Sequence, residues 1–524
     1  MELKPVINAL LGVAILYVFF RLVLSFLTAR RNAAKARDLG CKEPPVEKNR
    51  WPFGIDSVRR SLEADRAQQF PADVLQHFQE LGTYTYRYNV LGSKNLRTAD
   101  PRNIQAILAT QFNDFDLGPT RRGNFFPMLG DGIFTSDGAY WKHSRAIMRP
   151  QFTRDQVSDL DLEETHMQNM MRALEPLITT DGWIEKVDLL PYFFRLTLDS
   201  ATQFLFGESV NSQLQSLQQT DENDKSEESQ EAKFARAFDA AQSALATRLR
   251  FMDQYWLYNS REFRQACSVV HEFVDHFVRL ALSKSLRAKK LPSQNEPYVF
   301  LEALAAETQD PLELRYQLLN LLLAGRDTTA SHFGWVFYEL SRDPERYRKL
   351  RDNILADFGP YDQPQEITFA KLKDCKYLRY VNDEALRLHP VVPFNARYAN
   401  KDTTLPYGGG KDGKSPVFVP KGSTCDYGVY VMHRRKDLWG ADADAFRPER
   451  WEGRKIGWEY LPFNGGPRIC IGQQFALTEA SYVTVRLLQR FDRMEILDAT
   501  EVLRHNLTLT NCIANGVKVR MHAA

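Results

Sequence analysis

Three absences narrow what this sequence of 524 residues encodes. Its six cysteines form no Cys-x-x-Cys pair, which argues against a disulfide framework and against structural zinc. Its formal net charge is only +2, so the chain as a whole has no strong electrostatic attraction to nucleic acid. No glycine-rich dinucleotide fingerprint leads from a strand into a helix, so no flavin or nicotinamide domain is predicted.

A long apolar run lies at the N-terminus. Residues 6–27 are apolar with three exceptions, and at 1.5 Å per residue they can cross the ~30 Å hydrocarbon layer of a membrane. A cleaved signal peptide is the alternative, but the run is too long and the charge before it is weak. The run is followed by a basic cluster, which places the rest of the chain in the cytosol by the positive-inside rule: Arg30, Arg31, Lys35 and Arg37.

These features divide the chain into three parts. We predict a transmembrane signal anchor over residues 1–29, a basic and proline-rich linker over residues 30–60, and one catalytic domain over residues 61–524. No internal repeat and no further domain-separating linker are found in that last part.

Hydrophobic periodicity predicts a mainly α-helical body with small β-sheets. A helix is expected over residues 62–81, and a loop rich in phenylalanine over residues 117–138. Two long helices are expected before and after Asn259-Ser260, and the polar residues 220–233 are interpreted as a solvated excursion. Short strands are expected near residues 83–98, 395–430 and 493–520.

The most informative stretch runs from Phe463 to Gly472. Adjacent glycines and a proline rule out regular structure up to Arg468, so the chain must make a tight loop that brings Cys470 to the start of a helix. A helix N-terminus lowers the pKa of a thiol. A lone thiolate there could be an axial ligand of haem iron, which leaves the opposite face open for oxygen. The alternative is a buried structural cysteine.

The pattern Phe463-x-x-Gly466-x-Arg468-x-Cys470-x-Gly472 resembles the haem-binding signature of the cytochrome P450 family of haem-thiolate monooxygenases. The resemblance implies a triangular helical body that holds haem b between a long central helix and the cysteine-ligand helix. It also implies a single-pass anchor in the endoplasmic reticulum membrane, O2, and a lipophilic substrate. Electrons would come from NADPH through a separate flavin-containing NADPH–cytochrome reductase, with a small haem electron carrier as a further candidate.

A long apolar helix is predicted between Pro311 and Asp343, with Gly325 in its middle. Asp327 and Thr328 follow and offer an acid and a hydroxyl that can relay protons. Alternatively, the threonine bonds back to its own helix and Asp327 pairs with Arg326. The residues Ala-Gly-x-Asp-Thr-Thr resemble the oxygen-activation motif of the family, which implies that Asp327 and Thr328 deliver protons.

Further matches concern the edges of the cofactor. Trp141 and Arg145 lie four apart, as in an ordinary cation–π pair, but the resemblance implies that they bind a haem propionate. Arg397 and Arg468 resemble further propionate ligands. The family also has a buried ion-pair network on the cysteine side of the haem, which the resemblance assigns here to Glu384, Arg387 and Arg450.

Residues Gly408 to Ser415 satisfy the phosphate-binding P-loop pattern. A P-loop requires a helix that starts at its Lys-Ser, whereas Ser415 is followed by a proline and an extended apolar run. We therefore interpret this stretch as a hairpin tip.

Several stretches resemble the fungal branch that hydroxylates n-alkanes and fatty acids at the chain end. Relatives in fungal secondary metabolism that oxidise polyketides or terpenoids, and a membrane-tethered haem or sterol binder without turnover, remain alternatives. The resemblance places five residues at the substrate: Phe134, Leu323, Phe394, Leu507 and Leu509. Five basic residues are candidates for docking the reductase: Lys142, Arg149, Arg434, Arg435 and Lys436.

Overall fold

Helix is the dominant element of the computed structural model, which describes residues 3–152, 160–218, 230–288 and 299–524. The helices of this part of the chain are α1 Leu3–Asp38, α2 Ile55–Arg66, α3 Phe70–Leu81, α4 Pro101–Gln105, α5 Gly118–Leu129, α6 Gly138–Met148, α7 Asp161–Leu174, α8 Leu189–Phe206, α9 Ser212–Gln218, α10 Gln230–Arg250, α11 Arg261–Ala288, α12 Phe300–Glu307, α13 Pro311–Arg342, α14 Pro344–Phe358, α15 Phe369–Asp374, α16 Lys376–Leu388, α17 Val429–Met432, α18 Lys436–Trp439 and α19 Gln473–Arg490. A short helical segment, Met252–Leu257, joins α10 to the loop before α11.

The strands form small sheets beside the helical body. They are β1 Thr85–Val90, β2 Ser93–Thr98, β3 Phe115–Asp116, β4 Trp183–Asp188, β5 Phe394–Ala399, β6 Thr403–Gly409, β7 Ser415–Val419, β8 Thr424–Gly428, β9 Phe491–Ile496, β10 His505–Leu507, β11 Asn511–Ile513 and β12 Lys518–Ala523. The largest sheet has the order β1-β2-β8-β5-β3, with β2 and β8 parallel. A second sheet has the order β4-β12-β9, and β6-β7 and β10-β11 are hairpins. The predicted fold class, mainly helical with small sheets, is confirmed.

The helix α1 includes an apolar segment, Leu10–Asp38, that is long enough to cross a membrane. Its apolar window makes no buried contact with the rest of the described protein. Helix continues to Asp38, so the first part of the predicted linker is helical. The chain then runs along the sheets, where Lys42 N–H donates to the Pro416 carbonyl at 2.9 Å and Arg87 N–H donates to the Pro45 carbonyl at 2.8 Å.

The helix α13 runs through the centre of the body. It begins where the Asp310 side chain accepts a hydrogen bond from Leu312 N–H at 2.9 Å, with Pro311 in the first turn. It packs against α8, α11, α16 and α19, so its apolar side chains are covered on several sides. Leu318, Leu322 and Trp335 are fully buried. The long central helix of the prediction is thus present with nearly the predicted ends.

Two secondary-structure predictions were wrong in detail. The helix expected over residues 62–81 is two helices, because Gln68 adopts a left-handed φ of 57° and Pro71 lies in the first turn of α3. The loop expected over residues 117–138 contains α5, with Pro127 inside it. Residues 220–229 of the predicted polar excursion lie outside the described residues, and α10 begins at Gln230.

The Gly408 to Ser415 stretch is the turn between β6 and β7. Ser415 begins a strand rather than a helix. The interpretation as a hairpin tip is confirmed, and the free N–H groups that a P-loop helix would offer a phosphate are absent from this described turn.

A buried ion-pair network joins α16 to the segment that precedes the Cys470 turn. Glu384 Oε1 lies 2.9 Å from Arg387 Nη2 and 2.8 Å from Arg450 Nε, and the three side chains are buried. Trp451 Nε1 donates to Glu384 Oε2 at 3.0 Å. The surplus positive charge is distributed over backbone carbonyls, among them that of Ala443, 2.6 Å from Arg387 Nη1. One carboxylate therefore organises two guanidinium groups.

Replacing Glu384 with alanine should lower the free energy of unfolding by roughly 3–5 kcal/mol, because two buried guanidinium groups lose their carboxylate. Urea unfolding followed by circular dichroism measures the change. The matched control is Glu63→Ala, which breaks an exposed pair with Arg59 (2.7 Å) and should change the free energy of unfolding far less, because water screens that pair. Equal effects of the two substitutions would contradict a structural role for the network.

Candidate active site

A cavity of about 570 Å³ lies inside the body, a size typical of a small-molecule site. Leu323, Gly325 and Thr328 of α13 contribute to its wall, as do Phe463 and Cys470 of the loop before α19. The sequence predicted these positions through the resemblance of its motifs to those of a known family. The fold brings the two segments, which are more than a hundred residues apart in sequence, to the same cavity.

The loop that carries Cys470 is shaped by backbone packing. Gly466 has a φ of 67°, and a Cβ there would lie 1.9 Å from the Leu108 carbonyl oxygen, so no other residue fits. Cys470 N–H then donates to the Phe463 carbonyl at 3.1 Å. Gly466 therefore acts through the shape of the loop, whereas Phe463, Cys470 and Gly472 line the cavity.

The Cys470 side chain is exposed to the cavity although it lies deep in the protein. Without a metal, burial raises the pKa of the Cys470 thiol, and this outweighs the lowering effects of Gly472 N–H and Arg145. The expected lowering of the pKa by the helix N-terminus was thus wrong for the free thiol. The helix begins at Gln473, and an apolar setting disfavours the thiolate until a cation binds it.

Three guanidinium groups face one side of the cavity. Arg121 Nη1 and Arg397 Nη1 donate to the same oxygen, Asn395 Oδ1, at 2.9 and 3.2 Å. Arg468 Nη2 donates to Asp137 Oδ1 at 2.6 Å, while Arg468 Nη1 is buried without a partner among the described residues. Asp137 and, without a hydrogen bond to it, Asp116 are the carboxylates that act on Arg468, so positive charges outnumber negative charges at this wall.

The close approach of these guanidinium groups, together with their burial, lowers the pKa values of two of them. Burial, together with Arg397, lowers the pKa of Arg121 to about 10. Burial, with the like charges of Arg397 and Arg121, lowers the pKa of Arg468 to about 10, although Asp137 opposes the shift. Such a wall is suited to an anionic ligand, because an anion would neutralise the repulsion and satisfy the free donor.

Trp141 and Arg145 of α6 lie next to this wall. The Arg468 guanidinium stacks over the Trp141 ring at 4.3 Å. Within the described part of the chain, the Trp141 indole N–H has no hydrogen-bond partner, and the residue lines the cavity. Arg145 Nη1 donates to the Ile469 carbonyl at 3.0 Å, which ties α6 to the Cys470 loop.

These residues fit the haem that the sequence motif implies. The dianionic edge of a haem needs several donors, and the free Arg468 Nη1 and Trp141 N–H supply two of them. Sequence reasoning missed Arg121, because its stretch was expected to be a loop and it belongs to no motif. The only sequence signal was a pair of basic residues, Arg121 and Arg122, shortly before the apolar residues 125–129.

Asp327 and Thr328 point in different directions. Thr328 lines the cavity, and its hydroxyl donates to the Ala324 carbonyl at 2.5 Å. Asp327 is buried on the side of α10, where it lies 3.4 Å from Arg326 Nη1 and is hydrogen-bonded to Gln242. The structural alternatives for both residues are therefore realised in this conformation. Burial raises the pKa of Asp327, and Arg326 opposes the shift.

A Cβ at Gly325 would meet only Ala201 Cβ, at 3.8 Å. Protein packing therefore does not require glycine there, which leaves the open cavity side as the reason for a small residue. The five residues predicted at the substrate all line the cavity: Phe134, Leu323, Phe394, Leu507 and Leu509.

The predicted reductase-docking residues separate into two groups. Lys142, Arg149 and Lys436 are exposed. Arg434 and Arg435 were placed wrongly on the surface, since only 8% of each side chain is exposed. Arg434 donates to the Leu388 carbonyl, and Arg435 pairs with Asp437 at 2.6 Å, so both are held by internal contacts.

Comparison with known proteins gives a consistent result. The family model described as "Cytochrome P450" matches residues 44–509. The cytochrome P450 monooxygenase g430 of a Fusarium species is 67% identical over 523 residues, which cover 99% of this chain and 91% of the relative. The cytochrome P450 monooxygenase alt2 of Alternaria solani is 48% identical over 516 residues, covering 96% and 95%. Cytochrome P450 52A12 of Debaryomyces hansenii is 46% identical over 490 residues, covering 93% of each.

We expect Arg121→Met to raise the rate at which the holoprotein loses haem by roughly tenfold, because a hydrogen bond to a charged group contributes about 1.5–3 kcal/mol. Haem transfer to an excess of apomyoglobin, followed by absorbance, measures this rate. The matched control is Arg122→Met on the same helix, since Arg122 is 52% exposed and pairs with Asp131 at 2.7 Å. Identical rates for the two variants would show that Arg121 does not hold the cofactor.

Proposed function

The chain belongs to the cytochrome P450 family, and from this premise we propose that it hydroxylates n-alkanes or fatty acids at or near the chain end. It is a monooxygenase that uses a thiolate-ligated haem, O2, a lipophilic substrate and electrons from a redox partner. The observation that supports the proposal most is a single cavity whose wall includes Cys470, the oxygen-motif helix α13 and a series of leucine and phenylalanine side chains.

Cys470 is proposed as the residue whose thiolate would bind the haem iron. When bound, a thiolate-ligated haem supplies oxygen activation, because the thiolate pushes electron density that favours O–O cleavage. Arg145 orients the loop that presents the sulfur. Trp141, Arg397 and Arg468, with Arg121, are proposed to hold the propionates. Phe463 is proposed to pack against the ring, and Gly472 and Gly325 are proposed to leave space for it.

Thr328 is proposed as the residue that donates a proton to a group bound in the cavity. Its hydroxyl donates to Ala324 O, so it must leave that carbonyl to donate toward the reacting oxygen. The Ala324 carbonyl then still accepts the backbone hydrogen bond of the helix, from Thr328 N–H. Asp327, whose pKa is raised by burial, is proposed to resupply the proton from the side of α10. Arg326 links this carboxylate to the surface residue Asp239.

Membership of the family implies a redox partner that supplies electrons, but it does not identify that partner or the membrane. The finer proposal is a flavin-containing NADPH–cytochrome reductase that docks on Lys142, Arg149 and Lys436. These exposed cations offer an acidic partner a surface for steering. The apolar segment of α1 supports a single-pass anchor over residues 1–29, with residues 30–60 as the linker and residues 61–524 as the catalytic domain. The endoplasmic reticulum, with a cytosolic body, is the proposed membrane.

Reconstituted with reductase and NADPH in vesicles, the protein should convert dodecanoate or dodecane to a terminally hydroxylated product, identified by mass spectrometry. Cys470→Ser should abolish both this activity and the red-shifted absorption of the reduced, carbon-monoxide-treated protein, because oxygen ligation lacks the electron push of a thiolate.

Cys375→Ser is the control, because Cys375 is a buried cysteine at the C-terminal end of α15 and is not among the residues that line the cavity. It should retain the absorption band and turnover. A retained band in Cys470→Ser would refute thiolate ligation by Cys470. Oxidation of polyketide or terpenoid compounds but of neither lipid would refute the substrate class alone.

Thr328→Ala should lower the hydroxylated product formed per NADPH consumed by roughly tenfold or more, since a positioned proton donor contributes at least that much. Asp327→Asn should act in the same direction, and Thr328→Ser should restore much of the yield. Product and NADPH are measured in the same reaction.

Ser341→Ala provides a matched control on the same helix. Ser341 is buried and its hydroxyl bonds back to the Tyr338 carbonyl at 3.0 Å, as Thr328 does to Ala324. The structural consequence of losing such a bond is therefore similar, but the proton path is untouched. If Ser341→Ala and Thr328→Ala lower the product formed per NADPH consumed by the same factor, the role of Thr328 is structural only.

A further inference from the structure

Arg250 is a charged residue of the cavity wall that lies next to apolar side chains. It is the last residue of α10, and 13% of its side chain is exposed. It lines the cavity together with Phe70, Phe394 and Leu507. A guanidinium in such a wall is costly unless its donors are satisfied, so its hydrogen bonds indicate what it is for.

The protein satisfies this guanidinium only in part. Arg250 Nη2 donates to Asp65 Oδ1 at 2.8 Å and to the Leu507 carbonyl at 3.2 Å. The guanidinium stacks over the Phe70 ring at 4.7 Å. Arg250 Nε is buried and has no hydrogen-bond partner among the described residues. Its single carboxylate partner, Asp65, is about one-third exposed, so water weakens that pair.

Other arginines of the cavity wall near these helices are better paired. Arg60 Nε donates to both carboxylate oxygens of Asp73, at 2.9 and 3.1 Å, and its Nη1 contacts His77 at 2.6 Å. Arg97 donates to the Tyr86 hydroxyl at 3.3 Å and to Asp426 at 3.4 Å. Arg250 thus differs from them in keeping a free, buried donor next to apolar side chains.

We propose that Arg250 binds the carboxylate of a fatty-acid substrate. This rests on the proposed function and makes it more specific, because an n-alkane has no group that could use the free donor. A carboxylate at Nε would gain a charge-assisted hydrogen bond, while Phe70, Phe394 and Leu507 pack against the alkyl chain. Arg250 is then a specificity residue that fixes one end of the chain and leaves the other end to extend along the cavity.

The experiment compares an acid with its uncharged ester in the full-length holoenzyme. Dissociation constants for dodecanoate and methyl dodecanoate are measured from the change in the haem absorption band. Arg250→Met should weaken the binding of dodecanoate by about tenfold or more, since it removes a charged hydrogen bond. It should change the binding of the ester by less than about threefold, since the apolar contacts remain.

Arg60→Met is the matched control, because Arg60 also lines the cavity but has its donors paired. It should not separate the acid from the ester. Asp65→Asn tests the same inference in the opposite direction: the loss of the competing carboxylate should tighten the binding of dodecanoate and leave that of the ester unchanged. This variant decides the question if Arg250→Met does not incorporate haem.

Equal weakening of the acid and the ester in Arg250→Met, or unchanged binding of the acid, would overturn the proposal. So would unchanged acid binding in Asp65→Asn. A wild-type enzyme that binds dodecanoate through Arg250 but oxidises neither dodecanoate nor dodecane would instead refute the proposed function. The binding measurement therefore separates the two.

Discussion

The position of one sulfur atom at the wall of an internal cavity is the constraint on which the rest of the site depends. The loop reaches this position because Gly466 lies against the Leu108 carbonyl, where a side chain has no room. Arg145 holds the Ile469 carbonyl next to the sulfur. The loop has little regular structure of its own, so its shape comes from contacts with the helices around it.

Some buried arginines of this protein are fully paired with acceptors and others lack counter-charge. This difference separates arginines that stabilise the fold from arginines suited to binding a ligand. Arg387 and Arg450 share Glu384, and nearby carbonyl oxygens accept their remaining donors. Arg397 and Arg468 are short of counter-charge, and Arg468 Nη1 has no acceptor among the described residues. A buried charge without a partner is costly in an empty protein. We therefore interpret the second setting as one completed by an anionic ligand, whereas the first is complete as it stands.

The helix α13 shows where a motif and a conformation differ. The motif places Asp327 and Thr328 side by side, but successive residues of a helix point about 100° apart. Thr328 consequently faces the cavity and Asp327 faces α10. Similarly, the loop expected around Phe125 is the helix α5, because tertiary packing compensates for its weak propensity, and this is what directs Arg121 inward.

Sequence patterns alone were sufficient for the apolar N-terminal helix, the mainly helical class, the long central helix and the lone cysteine before a helix, because periodicity, glycine and proline act locally. The tertiary structure decided which charges are buried. It moved Arg434 and Arg435 from the predicted surface to the interior and added Arg121 to the cationic wall of the cavity. It also left Arg250 Nε without a partner in the described part of the chain. Burial and pairing depend on side chains that come from distant parts of the chain, and no local pattern records them.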